Sequence, residues 1–180
     1  MTGAGRWAAA FVWLGATTAA AQPPDFSGTW KLDANRSRVT ASAALSGLIA
    51  AGAPETLHVT QPANGTLILE SQINESHARL YIPGGRSSTP VFLGPAGSIT
   101  MTSRWENGRL VSEGRRQSSS GTSTLVTEVK EVIALSADGQ ALTLEITTSG
   151  AEGKSTSTLT YSRTQDVGPC QSWPTPCKTR

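Results

Sequence analysis

Apolar and polar residues alternate in short runs from residue 28 to residue 163, and each run is bounded by turn-forming residues. Residues 28–33, GTWKLD, put Trp30 and Leu32 on one face and Lys31 on the other, the period of a half-buried strand. Residues 55–61 and 66–73 flank Asn64-Gly65, a hairpin signal, with Leu57, Val59, Leu67 and Leu69 as inward candidates. Residues 77–82 predict a strand with Leu80 and Ile82 on one face, stopped by Pro83 and two glycines, and 91–93 a short one. Ile99, Met101, Ser103 and Trp105 line one face of 98–105. Asn107-Gly108 then turns the chain into 109–116. Residues 118–124 read as a polar loop or the start of a solvent-facing strand. In 125–136, Val126, Glu128 and Lys130 share a parity with Val132 and Ala134, a face that changes from charged to apolar and predicts either a bulge or a strand that passes over an edge. After Asp138-Gly139, the set Leu142, Leu144 and Ile146 opposes Thr143, Glu145 and Thr147, the cleanest half-buried strand in the chain. Leu159 and Tyr161 close the pattern in 155–163.

This gives eight or nine strands joined mostly by tight turns, which connect only antiparallel neighbours. No room remains for repeated crossover helices. The Ala-rich stretch 41–53, with Leu45, Leu48 and Ile49 at helical spacing, predicts one or two helical turns kept short by Gly47 and Gly52. The expected fold class is all-β: an antiparallel meander β-barrel with a short helical segment after the first strand. A two-sheet sandwich is its rival. The 44 Ser and Thr among 180 residues fit short strands and turns better than long helices.

The two ends read differently from the middle. Arg6 precedes an apolar run of about fifteen residues that closes on Ala19 and Ala21, so residues 1–21 are expected to be a secretory signal peptide. A membrane anchor is the alternative, but the run is short of the ~20 residues a span needs, and no basic cluster follows. The expected organisation is a barrel domain over 22–163 and a Pro-rich tail over 164–180. In an oxidising compartment Cys170 and Cys177, the only cysteines, are expected to pair as a local clip on that tail. A formal net charge of +2 argues against nucleic acid as a partner.

The segment 25–38, DFSGTWKLDANRSR, resembles the opening of the lipocalin-like proteins that bacteria export, and Gly28-Thr29-Trp30 is similar to the Gly-x-Trp start of lipocalins in general. Residues 130–150 and 157–163 are similar to the late strands of the same proteins. The resemblance implies a barrel with Trp30 packed across its closed base. It also implies structural roles for Gly28 and Trp30, with Arg163 covering the indole ring, an arrangement that cation–π attraction favours. It further implies an interior that takes a small apolar molecule.

Little in the chain suggests catalysis. His58 and His77 have no metal-binding spacing to each other or to Glu70 and Glu75, no Gly-x-Ser-x-Gly elbow occurs, and neither metal, cofactor nor enzymatic activity is expected. Arg104, Arg109, Arg115 and Arg116 gather around the Asn107-Gly108 turn. They read either as an anion site or as a solvated hairpin diluted by Glu106 and Glu113. An Arg116 that shares the inward parity of Leu110, Ser112 and Gly114 would instead point into the barrel and pair with a ligand carboxylate. Leu80, Ile82, Ile99, Met101, Trp105, Leu144 and Ile146 are the candidate ligand-contacting wall, or else the filling of a solid core. The Gly-rich stretch 82–97 is a candidate lid at the barrel mouth. The expected function is that of a periplasmic or secreted binding protein for a small apolar or amphipathic ligand. The alternative is a filled structural module that contacts an envelope protein.

Overall fold

The computed structural model describes residues 23–40, 53–71, 79–91, 97–120, 122–151 and 153–165. Ten strands occur among them: β1 (Gly28–Leu32), β2 (Thr56–Thr60), β3 (Leu67–Ser71), β4 (Arg79–Tyr81), β5 (Arg86–Val91), β6 (Gly97–Glu106), β7 (Arg109–Ser120), β8 (Ser123–Leu135), β9 (Ala141–Gly150) and β10 (Gly153–Gln165). They form one antiparallel sheet in the order β4-β3-β2-β1-β10-β9-β8-β7-β6-β5. Every neighbour pair except β1–β10 is consecutive in the chain, so the sheet is a meander whose first and last strands pair with each other. The two edges, β4 and β5, are also consecutive. The sheet thus curls into a nearly closed barrel with one open seam. At that seam Gly84 N–H donates to the Ser103 carbonyl at 2.8 Å, and Ser103 N–H donates to Gly85 at 3.3 Å.

The core follows from strand parity. Trp30, Leu57, Val59, Leu67, Leu69, Leu110, Ile133, Leu142, Leu144, Ile146, Leu159 and Tyr161 all face inward and join Phe26 in a single apolar cluster. Full burial stabilises each by roughly 1.5–3 kcal/mol relative to exposure. The Asn107–Gly108 turn has φ of 51° and 75°, the positive values that a tight hairpin turn requires. Gly114 is required for another reason. A Cβ there would lie 1.8 Å from the Thr100 carbonyl oxygen, so only glycine lets β7 bend this closely over β6.

Several expectations are corrected. Residues 86–91 form β5 within the stretch read as a lid, and Pro90 is tolerated because β5 is an edge strand. Of the two readings of 118–124, the strand holds: its described residues extend the β7–β8 hairpin, paired through Ser120 and Ser123. No bulge interrupts β8, whose register with β7 and β9 is continuous. The mixed face of Val126, Glu128 and Lys130 is simply its outer side, with Val132 and Ala134 half-buried there. A 3-10 turn, Ala34–Arg36, follows β1 directly and is capped by the Asp33 carboxylate, which accepts from the Asn35 and Arg36 N–H groups. The helical expectation for 41–53 falls almost wholly outside the described residues, as do the expected signal peptide, His77 and Glu75. The expected disulfide is corrected as well: no disulfide bond forms among the described residues, Cys170 and Cys177 lie outside them, and the barrel core closes without a covalent clip.

Candidate functional site

The interior has two tiers. At the base, where the β6–β7 and β8–β9 turns lie, Trp30 is fully buried and its Nε1 donates to the Phe26 carbonyl at 3.1 Å. The Arg163 guanidinium lies over the indole, 4.4 Å from the ring centroid. It donates to the carbonyl oxygens of Gly139 (3.0 Å), Ser27 (2.8 Å) and Asp25 (3.4 Å), tying two loops and β10 to one ring. Gly28, buried beside Trp30, begins β1. Trp105 is half-buried against this cluster, with its ring 5.6 Å from Phe26.

Above the base the interior turns polar. Glu131 on β8 is fully buried and accepts from two residues of β4, Arg79 Nη2 at 2.8 Å and the Tyr81 hydroxyl at 2.7 Å. Burial alone would pull the Arg79 pKa down. The Glu131 carboxylate and Tyr81 outweigh it and hold the guanidinium above its usual value. Burial first, then the Glu131 charge, pushes the Tyr81 phenol well up. Ser112, opposite Glu131 in the β7–β8 ladder, hydrogen-bonds Ser103 at 2.7 Å. The second carboxylate oxygen of Glu131, Oε1, is buried and meets no hydrogen-bond donor among the described residues.

The same inward stripe continues toward the β7–β8 hairpin tip. Ile99, Met101 and Val129 form a second apolar cluster, separate from the main core. Beyond it Arg116 is 2% exposed and faces inward with Ser112 and Gly114, and burial holds its pKa below the ordinary arginine value. Ser87, Ser118, Thr127 and Thr148 are buried around this part of the interior.

The other expected wall residues divide. Leu144 and Ile146 sit in the main core, and Ile82 is half-buried just past β4. Leu80 points outward, 37% exposed. The β3–β4 register explains this reversal. Inward Leu67 and Leu69 pair with Tyr81 and Arg79, so those two share the inner face and Leu80 does not. Arg79 and Glu131 were missed as interior groups. The parity of Thr127, Val129, Glu131 and Ile133 was the available signal, obscured by the more conspicuous charged parity beside it.

On the outer face Arg104 pairs with Glu113 at 3.0 Å, Lys130 with Glu113 at 2.8 Å, and Arg115 with Glu128 at 2.8 Å. These arginines belong to an ion-paired ladder on the outside of the hairpins. On the outer side of β5–β9, Arg115, Glu113 and Glu128 border a concavity of about 510 Å³, and Lys130 with the same two glutamates borders one of about 290 Å³. His58 Nδ1 lies 3.1 Å from the Thr29 hydroxyl. No group of three metal-ligating side chains occurs among the described residues, and no helix among them is long and apolar enough to cross a membrane.

The site and fold together define an antiparallel β-barrel consistent with calycin or lipocalin-like architecture. No family model matches the chain, and no curated protein matches it.

Proposed function

We propose that the protein is an exported lipocalin-like binding protein, periplasmic or secreted, that takes a small amphipathic ligand into the upper tier of its barrel. The observation that carries this reading is Arg116, a buried inward arginine set beyond the apolar cluster of Ile99, Met101 and Val129. The positive charge of the guanidinium favours an anionic head group, while the apolar cluster takes the chain. Met101 supplies adaptability: its sulfur lies close against Gly114, and an unbranched thioether repacks readily around a guest. The reading contains no catalytic step.

A second reading, a module that docks an envelope protein, draws on Leu125 and Val126, which are 44% and 42% exposed near the start of β8. The test is calorimetric titration of the purified barrel with decanoate, beside native mass spectrometry of protein taken from its own exported fraction. We expect saturable 1:1 binding of decanoate, weakened about tenfold or more by Arg116→Gln, the size of effect a lost charge-assisted hydrogen bond gives. Absence of binding to decanoate and to other apolar probes would turn attention to the docking reading.

A further inference from the structure

The outer face of β5–β9 has a chemistry of its own. Its larger concavity, about 510 Å³, falls within the roughly 300–1,000 Å³ usual for small-molecule sites. The smaller, about 290 Å³, shares Glu113, Gly114 and Glu128 with it, so the two adjoin across β7 and β8. Strands about 4.8 Å apart put roughly 19 Å between β5 and β9, room for linked rings. Register sets the bordering side chains in rows across the strands. Arg86 stands opposite Thr102, and Thr102 opposite Glu113; two residues along, Thr100 stands opposite Arg115, and Arg115 opposite Glu128. Apart from Val129, which is buried in the interior cluster, the side chains that border the two concavities among the described residues are polar or charged, and none is aromatic. Such a lining suits a hydroxyl-rich ligand and repels an apolar one.

The charges along the groove differ in their commitments. Glu113 is held by Arg104 and Lys130, and Glu128 by Arg115. Arg86 is exposed and pairs with no carboxylate among the described residues. Arg115 bonds Glu128 through Nε at 2.8 Å, so its Nη groups remain as donors. With no ring to stack on, a neutral sugar only exchanges bonds to water for bonds to groups such as Thr102 and Gln117. A carboxylate on Arg86 adds a charge-assisted bond, roughly twice as strong, and the planar guanidinium matches it two-pronged. A second carboxylate would meet Glu113 and Glu128. We propose that this outer groove binds a saccharide with one uronic acid carboxylate among neutral rings, the carboxylate on Arg86 and the hydroxyls on Thr100, Thr102, Arg115 and Gln117. The groove lies outside the barrel, so this site stands or falls apart from any interior ligand.

The test titrates the wild-type protein with cellobiouronate (glucuronate linked to glucose), cellobiose and acetate, read by NMR chemical shifts. Cellobiouronate is expected to bind saturably and about fivefold or more tighter than either of the others. Arg86→Gln, an exposed change that leaves the fold intact, removes that advantage, so that the acid then binds like cellobiose. Arg109→Gln, an exposed change beside the β6–β7 turn, keeps it. Raising salt from about 0.05 to 0.5 M weakens the acid and leaves cellobiose unchanged, as screening of an exposed charge pair requires. Cellobiouronate that binds no tighter than cellobiose, or not at all, overturns the assignment. Acetate that binds as tightly as cellobiouronate shows an anion site with no use for hydroxyls and overturns the saccharide class. An advantage that survives Arg86→Gln but falls in Arg116→Gln places the acid inside the barrel, which overturns the outer site and leaves the interior reading standing.

Discussion

The base and the middle of the barrel interior are equally dry, yet they are held by opposite means. At the base, apolar side chains from β1–β3 and β7–β10 meet around Trp30, and the one cation, Arg163, stays half-exposed with carbonyl oxygens on three sides. In the middle, an ion pair and a phenol, all buried, bridge β8 to the three-residue strand β4. The difference separates stability from placement. Apolar burial at the base contributes net free energy in proportion to area. A buried ion pair returns little beyond its own desolvation cost, but it fixes which groups face each other. What it fixes here is the seam. β4 pairs with β3 through only three residues, and Arg79 and Tyr81 are what tie it across the interior to β8.

The sharpest way to break this comparison is to truncate both tiers. Trp30→Ala removes the central ring of the base and is expected to cost about 3–5 kcal/mol in denaturant unfolding. Glu131→Ala strands the buried Arg79 charge and is expected to cost a similar ~3–5 kcal/mol. The tiers then part company. Arg79→Met added together with Glu131→Leu should restore most of the lost stability, since an apolar pair of similar volume replaces the ionic one. No single partner change rescues Trp30→Ala. A double variant as unstable as Glu131→Ala would show that the ionic tier itself holds the fold, and the distinction would collapse.

The base was also the more legible tier in the sequence. Trp30, Leu57, Leu67, Leu142 and Leu159 stand in strict alternation, and alternation is what a half-buried strand imposes. The antiparallel order followed from Asn-Gly and Asp-Gly turns, and the barrel from the shortage of room for anything else. The middle tier was illegible for a physical reason. Alternation reports polarity, not direction, so a glutamate or arginine on the inner face reads as a solvated one. Glu131 was hidden by Glu128 and Lys130, and Arg79 by Leu80. Only pairing register assigns the inner face in a three-residue strand, and register depends on partners far away in sequence. β5 was missed because Pro90 reads as a breaker, which an edge strand accommodates.

Alkaline titration sharpens the comparison with a smaller effect. The chain has two tyrosines, one in each environment: Tyr81 hydrogen-bonded to Glu131, and Tyr161 in the base with its hydroxyl donating to the Pro54 carbonyl at 3.2 Å. Both phenols are pushed up, Tyr81 by burial and by the Glu131 charge, Tyr161 by burial alone. The folded state thus binds protons that the unfolded state releases above its ordinary tyrosine value of about 10. The stability from these phenols is complete below that pH and is lost as pH rises above it. Phenolate absorbance is therefore expected to stay absent near pH 10 and to emerge together with loss of circular dichroism. Tyr81→Phe should leave a single phenolate equivalent and a shallower alkaline decline. A phenolate band that develops in the intact fold would mean that one of the two rings is open to solvent.

The outer ladder supplies the smallest effect and the control for the others. Glu113 receives hydrogen bonds from Lys130 and Arg104, which hold its carboxyl below the usual range against a weaker opposing effect of burial. A depressed pKa stabilises above the unfolded carboxylate's value, and the stabilisation disappears as pH falls through the lower folded value. The glutamate side chain is 45% exposed, so solvent screens the gain, and Glu113→Gln is expected to cost well under 1 kcal/mol. Salt distinguishes the two kinds of ion pair. Raising ionic strength to about 1 M shortens the screening length to roughly 3 Å, which erases the Glu113 contribution but leaves the dry Arg79–Glu131 pair nearly untouched. The stability difference between wild type and Glu113→Gln should therefore shrink toward zero in high salt, while the cost of Glu131→Ala persists. Equal salt sensitivity at both positions would place water around Glu131, and the polar tier would then be a wet channel instead of a dry crossbar.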